Sequence, residues 1–184
     1  MSVAEPCRRL ASPGPVVGTG RGRGFTLIEL MTTLSVLAIS LALAAPALSG
    51  LIRSNRVRAA QGELVSSLML ARSEAARRGV AVGVEAKADA AGGGFARGWT
   101  VWIDANANGT LDTGEATLRS VPAFGTSITM TETNSLRDVV YSPRGFLAGG
   151  AVVTVCVASA GGKVWRVRVE PVGLADTAEN ITCP

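Results

Sequence analysis

Gly24-Phe25-Thr26-Leu27-Ile28-Glu29-Leu30 opens an apolar run that continues to Ile52, and beyond Glu29 that run holds no charged side chain. Its about 23 residues, at roughly 1.5 Å of rise each, cross a hydrocarbon core of about 30 Å as one helix. One carboxylate, Glu29, sits at the start, and just upstream Arg21 and Arg23 flank Gly22 and lead into Gly24. An ionisable group costs roughly 2.5–3.5 kcal/mol at the bilayer centre and less towards an end, which makes Glu29 a functional candidate by default. Two simpler readings account for less of the stretch. A secretory signal would use the small residues from Ala42 to Ala47 for cleavage and Arg21 and Arg23 as its basic flank. The run, however, outlasts the usual 7–15 or so residues and carries an acid. A plain membrane anchor leaves Glu29 and the glycine–phenylalanine junction without a purpose.

Outward from this run, the 184 residues leave room for one further domain with its own core, over 53–184. The formal net charge of +4 is concentrated at the start: Arg8, Arg9, Arg21 and Arg23 against Glu5 give the first 24 residues +3, leaving +1 for the rest. The basic balance is therefore poor support for nucleic-acid binding. Orientation from charge is weak too, because Arg53, Arg56 and Arg58 follow the run on its other side. The chain has no histidine. That removes the usual general base, the commonest transition-metal ligand and the Ser-His and Cys-His nucleophile pairs, and no enzyme is expected.

Residues 1–24 are rich in Arg, Gly and Pro without periodicity and read as an unstructured leader, which a downstream initiator would shorten. A helix is expected from Phe25 to about Arg78, interrupted and bent at Pro46, with Gly50 a second weak point. Past Arg53 it turns amphipathic, with Val57, Ala60, Leu64, Leu68, Ala71 and Ala75 recurring at spacings of three and four. Gly79 suits its C-terminal cap, and Arg77 and Arg78 suit the negative end of its dipole. The period then becomes two. Strands are expected at 80–87, 99–104, 116–121, 127–131, 138–141, 151–158 and 164–170. Turn signals separate them at Ala88–Gly94, Asn108-Gly109, Pro122, Asn134-Ser135, Pro143–Gly145, Gly149-Gly150 and Gly161-Gly162. A helix followed only by strands implies an α+β domain with the helix lying across an antiparallel sheet.

Arg21-Gly22-Arg23-Gly24-Phe25-Thr26-Leu27-Ile28-Glu29 resembles the processing site of type IV prepilins and type II secretion pseudopilins. The segment Gly98-Trp99-Thr100-Val101-Trp102-Ile103-Asp104, continuing through Asn106, Asn108-Gly109 and Asp112 to Glu115, resembles the central signature of the FimT/GspH branch. The resemblance implies a pilin-like fold and three parts: a leader over 1–24 that is cleaved, a transmembrane and filament-core helix over 25–52, and a periplasmic α+β domain over 53–184. It implies a prepilin peptidase that cuts after Gly24, methylation of Phe25, and a Glu29 that neutralises the terminal amine of a neighbouring subunit. A buried charge is tolerable when paired. The implied role is a minor pilin or pseudopilin held in the inner membrane by one span. It would assemble with other minor subunits into a periplasmic filament for type II secretion or a type IV pilus.

Three further features are weighed beside that reading. Of Cys7, Cys156 and Cys183, the last two would form a disulfide in a periplasmic domain, with free core thiols as the alternative. Asp104, Asn106, Asn108, Asp112 and Glu115 match the spacing of a calcium loop. Strands flank them where a calcium-binding EF-hand has helices, and the asparagines with Gly109 suit a hairpin turn alone, which is the heavier reading. The FimT side of the branch implies DNA capture through a Gly-Arg-x-Arg pattern near the C-terminus. This chain departs from it. Its nearest cations are Lys163, Arg166 and Arg168, which fit a solvated sheet face with Trp165, Val167 and Val169 inward. Trp99 and Trp102 could stack on bases, but core packing is the heavier expectation.

Overall fold

The computed structural model describes residues 24–88, 94–132, 138–159 and 163–179, without the side chains of residues 46 and 47. The leader up to Arg23, the Asn134-Ser135 and Gly161-Gly162 turns, most of the Ala88–Gly94 loop, and Cys183 lie outside those residues. The chain divides into two compact units, one ending at Ala42 and the other beginning at Leu43.

The first unit is the opening of helix α1, which spans Leu27–Arg78. It starts two residues later than expected because Thr26 is its N-cap. The Glu29 backbone N–H donates to Thr26 Oγ1 at 3.2 Å. Thr26 and Glu29 have the spacing of a capping box, so this threonine satisfies one of the donors that a helix start leaves open. The apolar side chains that follow, from Leu27 to Leu41, are all exposed. The hydroxyls among them are internally satisfied. Thr32 and Thr33 donate their hydroxyls to the carbonyls of Glu29 and Leu30 at 2.9 Å, and Ser35 and Ser40 donate to Met31 and Val36 at 2.8 Å. With backbone and hydroxyls both closed on the helix itself, the segment suits a medium without water.

In the second unit α1 continues through Pro46 and Gly50 without a break. Exposed Leu43, Leu48, Leu51 and Ile52 give way after Arg53 to a buried stripe. Val57, Ala60, Leu64, Leu68, Ala71 and Ala75 are each at most 1% exposed, and they are the six residues picked out by periodicity. Burying a leucine contributes about 1.5–3 kcal/mol, while the alanines let strands approach the helix closely. Gly79 ends the helix in the left-handed region at φ 68°, its N–H reaching Ala75 O at 2.9 Å. Arg77 and Arg78 both turn onto Glu74, at 2.7 and 2.6 Å. Their hydrogen bonds hold the Glu74 carboxyl below the usual carboxylate range.

The strands are β1 (Ala81–Ala86), β2 (Trp99–Asp104), β3 (Thr117–Val121), β4 (Ile128–Glu132), β5 (Asp138–Tyr141), β6 (Val153–Ser159), β7 (Trp165–Val169) and β8 (Ala175–Glu179). The single sheet expected from the sequence is two. One has the order β3-β2-β1-β5 and the other β4-β6-β7-β8, and every pairing is antiparallel. Alternation marks a strand but not its partner, and β4 joins the second sheet while its sequence neighbours β3 and β5 stay in the first. The helix stripe and the inner faces of both sheets form one core, with Trp99 at its aromatic centre, 6.0 Å from Phe95 and 5.5 Å from Phe124.

Trp102 is also fully buried but points to the opposite face of its sheet, across Gly83, its register partner on β1. A Cβ on Gly83 would lie 2.5 Å from the indole, so only glycine leaves room for the ring. Both tryptophans are therefore packing residues, as the heavier reading had it.

Candidate functional site

Three places carry the residues singled out in the sequence, and each is built differently. At the amino-terminal end, Gly24 and Phe25 stand outside the helix, Phe25 is 80% exposed, and Thr26 closes the first turn behind them. Glu29 lies on that first turn with its side chain exposed. Among the described residues its carboxylate has no hydrogen-bond or ion-pair partner. The chain thus presents a non-helical glycine–phenylalanine junction, then an acid, on a helix whose other side chains are apolar or self-satisfied hydroxyls.

The loop between β2 and β3 uses its oxygens on itself. Asp104 accepts the backbone N–H groups of Asn108 and Gly109 at 3.1 and 2.9 Å. Asp112 Oδ2 accepts both side-chain amides, of Asn106 at 2.8 Å and Asn108 at 2.7 Å. Glu115 accepts from the amides of Ala105 and Asp112, each at 3.0 Å. Ala107 and Gly109 take positive φ of 59° and 77° to make the turn. The five residues named for calcium do share one loop, and among the described residues no group of three or more acidic, cysteine or histidine side chains is placed to hold a metal ion. Their spacing serves a turn in which carboxylates hold amides.

On the second sheet, the register puts Arg166 and Arg168 on one face with Cys156 and Thr154 of β6 and Ala178 and Asp176 of β8. Val167 and Val169 are buried and Trp165 is half-buried, close to the expected inward set. Two of the three cations are paired with acids. Lys163 pairs with Glu179, and Arg168 Nε meets Glu170 Oε1 at 3.0 Å. Arg166 is not solvated as expected: it is half-buried, and its Nε is shut off from solvent without a partner. Cys156, on the same face, is disulfide-bonded.

Sequence reasoning missed the residues that tie this unit together. Arg72 donates from Nε to Gly145 O at 3.1 Å and from Nη2 to Val172 O at 3.3 Å, fastening two loops to α1. Gly173 packs so closely there that a Cβ would sit 2.1 Å from Gly145 O. Arg119 on β3 meets Glu63 at 2.5 Å and Ser66 at 3.0 Å, a second clip onto the helix. Strand β8 was missed as well. Nothing in the periodicity of these residues distinguishes them from other polar positions.

Comparison with known proteins bears on the same regions. The family model described as Type II transport protein GspH matches residues 60–173, from the buried stripe of α1 to the turn before β8. The model described as Prokaryotic N-terminal methylation motif matches residues 20–45. The pilin-like protein PilA1 of Thermus thermophilus is 38% identical over 95 residues, a match covering 50% of this chain and 55% of that protein. The type IV minor pilin FimU of Pseudomonas aeruginosa superposes with a TM-score of 0.55 at 22% identity, covering 67% of this chain and 89% of FimU, a likeness of fold. The minor pseudopilin EpsH from the Type 2 Secretion System of Vibrio cholerae aligns at 17% identity over 65% of this chain and 93% of its own, with a TM-score of 0.46. With a family model spanning most of the folded unit, a methylation motif on its apolar helix and the fold of a minor pilin, the chain belongs to the family described as Type II transport protein GspH.

Proposed function

We propose that this chain is a minor subunit that waits in the bacterial inner membrane with its folded unit in the periplasm, and then enters a short filament through α1. A prepilin peptidase cuts after Gly24 on the cytoplasmic side, and the new terminal Phe25 is methylated. The junction supports this, since Gly24 and Phe25 lie outside the helix where a peptidase can hold an extended backbone. Cys156 bonds to Cys183, because Cys7 leaves with the leader. Other minor pilins or pseudopilins are the partners, and the subunit helps to begin or tip the filament.

The observation that carries this reading is the Glu29 carboxylate, without a partner among the described residues, at the start of an exposed apolar helix. Such a charge becomes tolerable in an apolar layer when it meets an opposite one, and the amine released by cleavage of an adjacent subunit lies in that layer. Mass spectrometry of the mature protein tests it: the polypeptide should begin at a methylated Phe25, and a different first residue rejects the processing step. A deletion strain scored for exoprotein secretion, twitching and DNA uptake assigns the machine. Pairing of Lys163 and Arg168 with acids weighs against DNA capture. Binding by the full chain that weakens steeply with salt would reopen it.

A further inference from the structure

Arg53 and Arg56 immediately follow the apolar run and Arg58 comes one turn on, all three exposed. They are the residues that blur the positive-inside count, so a reason for them at this place is wanted. Neither Arg53 nor Arg56 has a hydrogen-bond or ion-pair partner among the described residues. No acid precedes them on the helix back to Glu29, and the next one, Glu63, is taken by Arg119. Arg58 is held differently, its guanidinium 5.9 Å from the ring centroid of half-buried Trp165. Just before the arginines, Leu48, Leu51 and Ile52 are exposed by 44–58%, an apolar band with no cover from the chain. At about 100° per residue the three arginines point in different directions around α1, so they form a collar and not a stripe.

We infer that this collar binds the phosphate groups of anionic phospholipids in the leaflet facing the folded unit. The inference rests on the membrane-inserted state proposed above. An uncharged run of bilayer length ends at Ile52, which brings the next residues to headgroup level. There guanidinium groups match phosphate in charge and hydrogen-bond geometry, and an amphipathic indole such as Trp165 is at home. Among the described residues no carboxylate pairs with these guanidiniums. The occupant with the opposite charge at that depth is lipid phosphate. On a bilayer each nearby cation is worth roughly a fivefold preference for anionic lipid. A subunit leaving for the filament must break those contacts, so the collar sets how readily it departs.

The test uses the full chain reconstituted in phosphatidylcholine vesicles with trace spin-labelled phosphatidylglycerol or phosphatidylcholine, reading the motionally restricted fraction by electron paramagnetic resonance. The expected result is a relative association constant for phosphatidylglycerol about three- to tenfold above that for phosphatidylcholine, falling towards one in high salt. The double variant Arg53→Gln with Arg56→Gln should abolish the preference while keeping a restricted phosphatidylcholine component. Arg58→Gln alone should have the smaller effect. Equal association of both lipids with the unaltered chain overturns the collar, and it is what an arginine reserved for a neighbouring subunit's carboxylate would give. An undiminished preference in the double variant overturns it as well. A chain that restricts neither lipid is not inserted, which removes the membrane reading itself and the collar with it.

Discussion

The two stretches of α1 are made of the same secondary structure and obey opposite rules. Before Ala42 its large apolar side chains are all exposed, and its hydroxyls bend back to their own carbonyls. From Val57 to Ala75 one face vanishes into a core, and the polar face is tied down by Glu63–Arg119 and by the arginines on Glu74. The second stretch is completed by its own chain. The first has no cover from its own unit and needs other molecules to give its side chains a home. Substitutions should therefore separate cleanly into those that change assembly and those that change folding.

The largest separation is expected at Glu29→Ala. Leaving a neighbour's amine buried without its counter-charge costs about 3–5 kcal/mol, so incorporation into filaments should fall by about two to three and a half orders of magnitude. Membrane insertion and the melting temperature should not change. Immunoblots of sheared filaments against membrane fractions measure both, and normal incorporation would erase the contrast. Next comes Leu64→Ala, which opens a cavity in the core and should destabilise the folded unit by about 2–5 kcal/mol. Leu37→Ala, in the uncovered stretch, should leave thermal unfolding of the full chain in detergent within about 0.5 kcal/mol. Equal losses from the two would mean that the stretches are not distinct.

Arg72→Ala sharpens the account of the second stretch. It removes two charge-assisted hydrogen bonds to backbone carbonyls, at about 1.5–3 kcal/mol each at most, and should loosen both loops first in hydrogen exchange. The smallest effect belongs to Tyr141→Phe, because the Tyr141 hydroxyl is buried with no partner and little is lost with it. Burial pushes that phenol up to about 12. Its contribution is fully present below the unfolded value near 10 and is lost as pH rises through about 12. Alkaline unfolding of the phenylalanine variant should therefore lack part of the decline above pH 10 that the unaltered chain shows.

How much of this was written in the residues themselves depends on whether the signal is local. The helix stripe was legible to the residue, since spacing of three and four needs nothing beyond the helix that carries it. The β2 segment was equally clear, with its alternating valine and tryptophan. Ala175-Asp176-Thr177-Ala178-Glu179 was not, because small and acidic residues carry no strand preference, and β8 exists only through its pairing with β7. Partition into two sheets was hidden for the same reason. At the amino-terminal end, Gly24, Phe25 and Glu29 stood out by their order, but the Thr26 cap behind them was overlooked. The cations of β7 were visible. Glu170 was visible too, two residues from Arg168, but that Glu179 would answer Lys163 follows from a hairpin the sequence did not announce.

The stretch of α1 before Ala42, with every hydroxyl already spoken for, asks little that is polar of whatever surrounds it. Moving such a rod from oil to a sheath of neighbouring rods exchanges one greasy contact for another and leaves all of its internal bonds standing. Transfer between the two homes would then turn on fit, on a single acid and on the arginines that follow the rod.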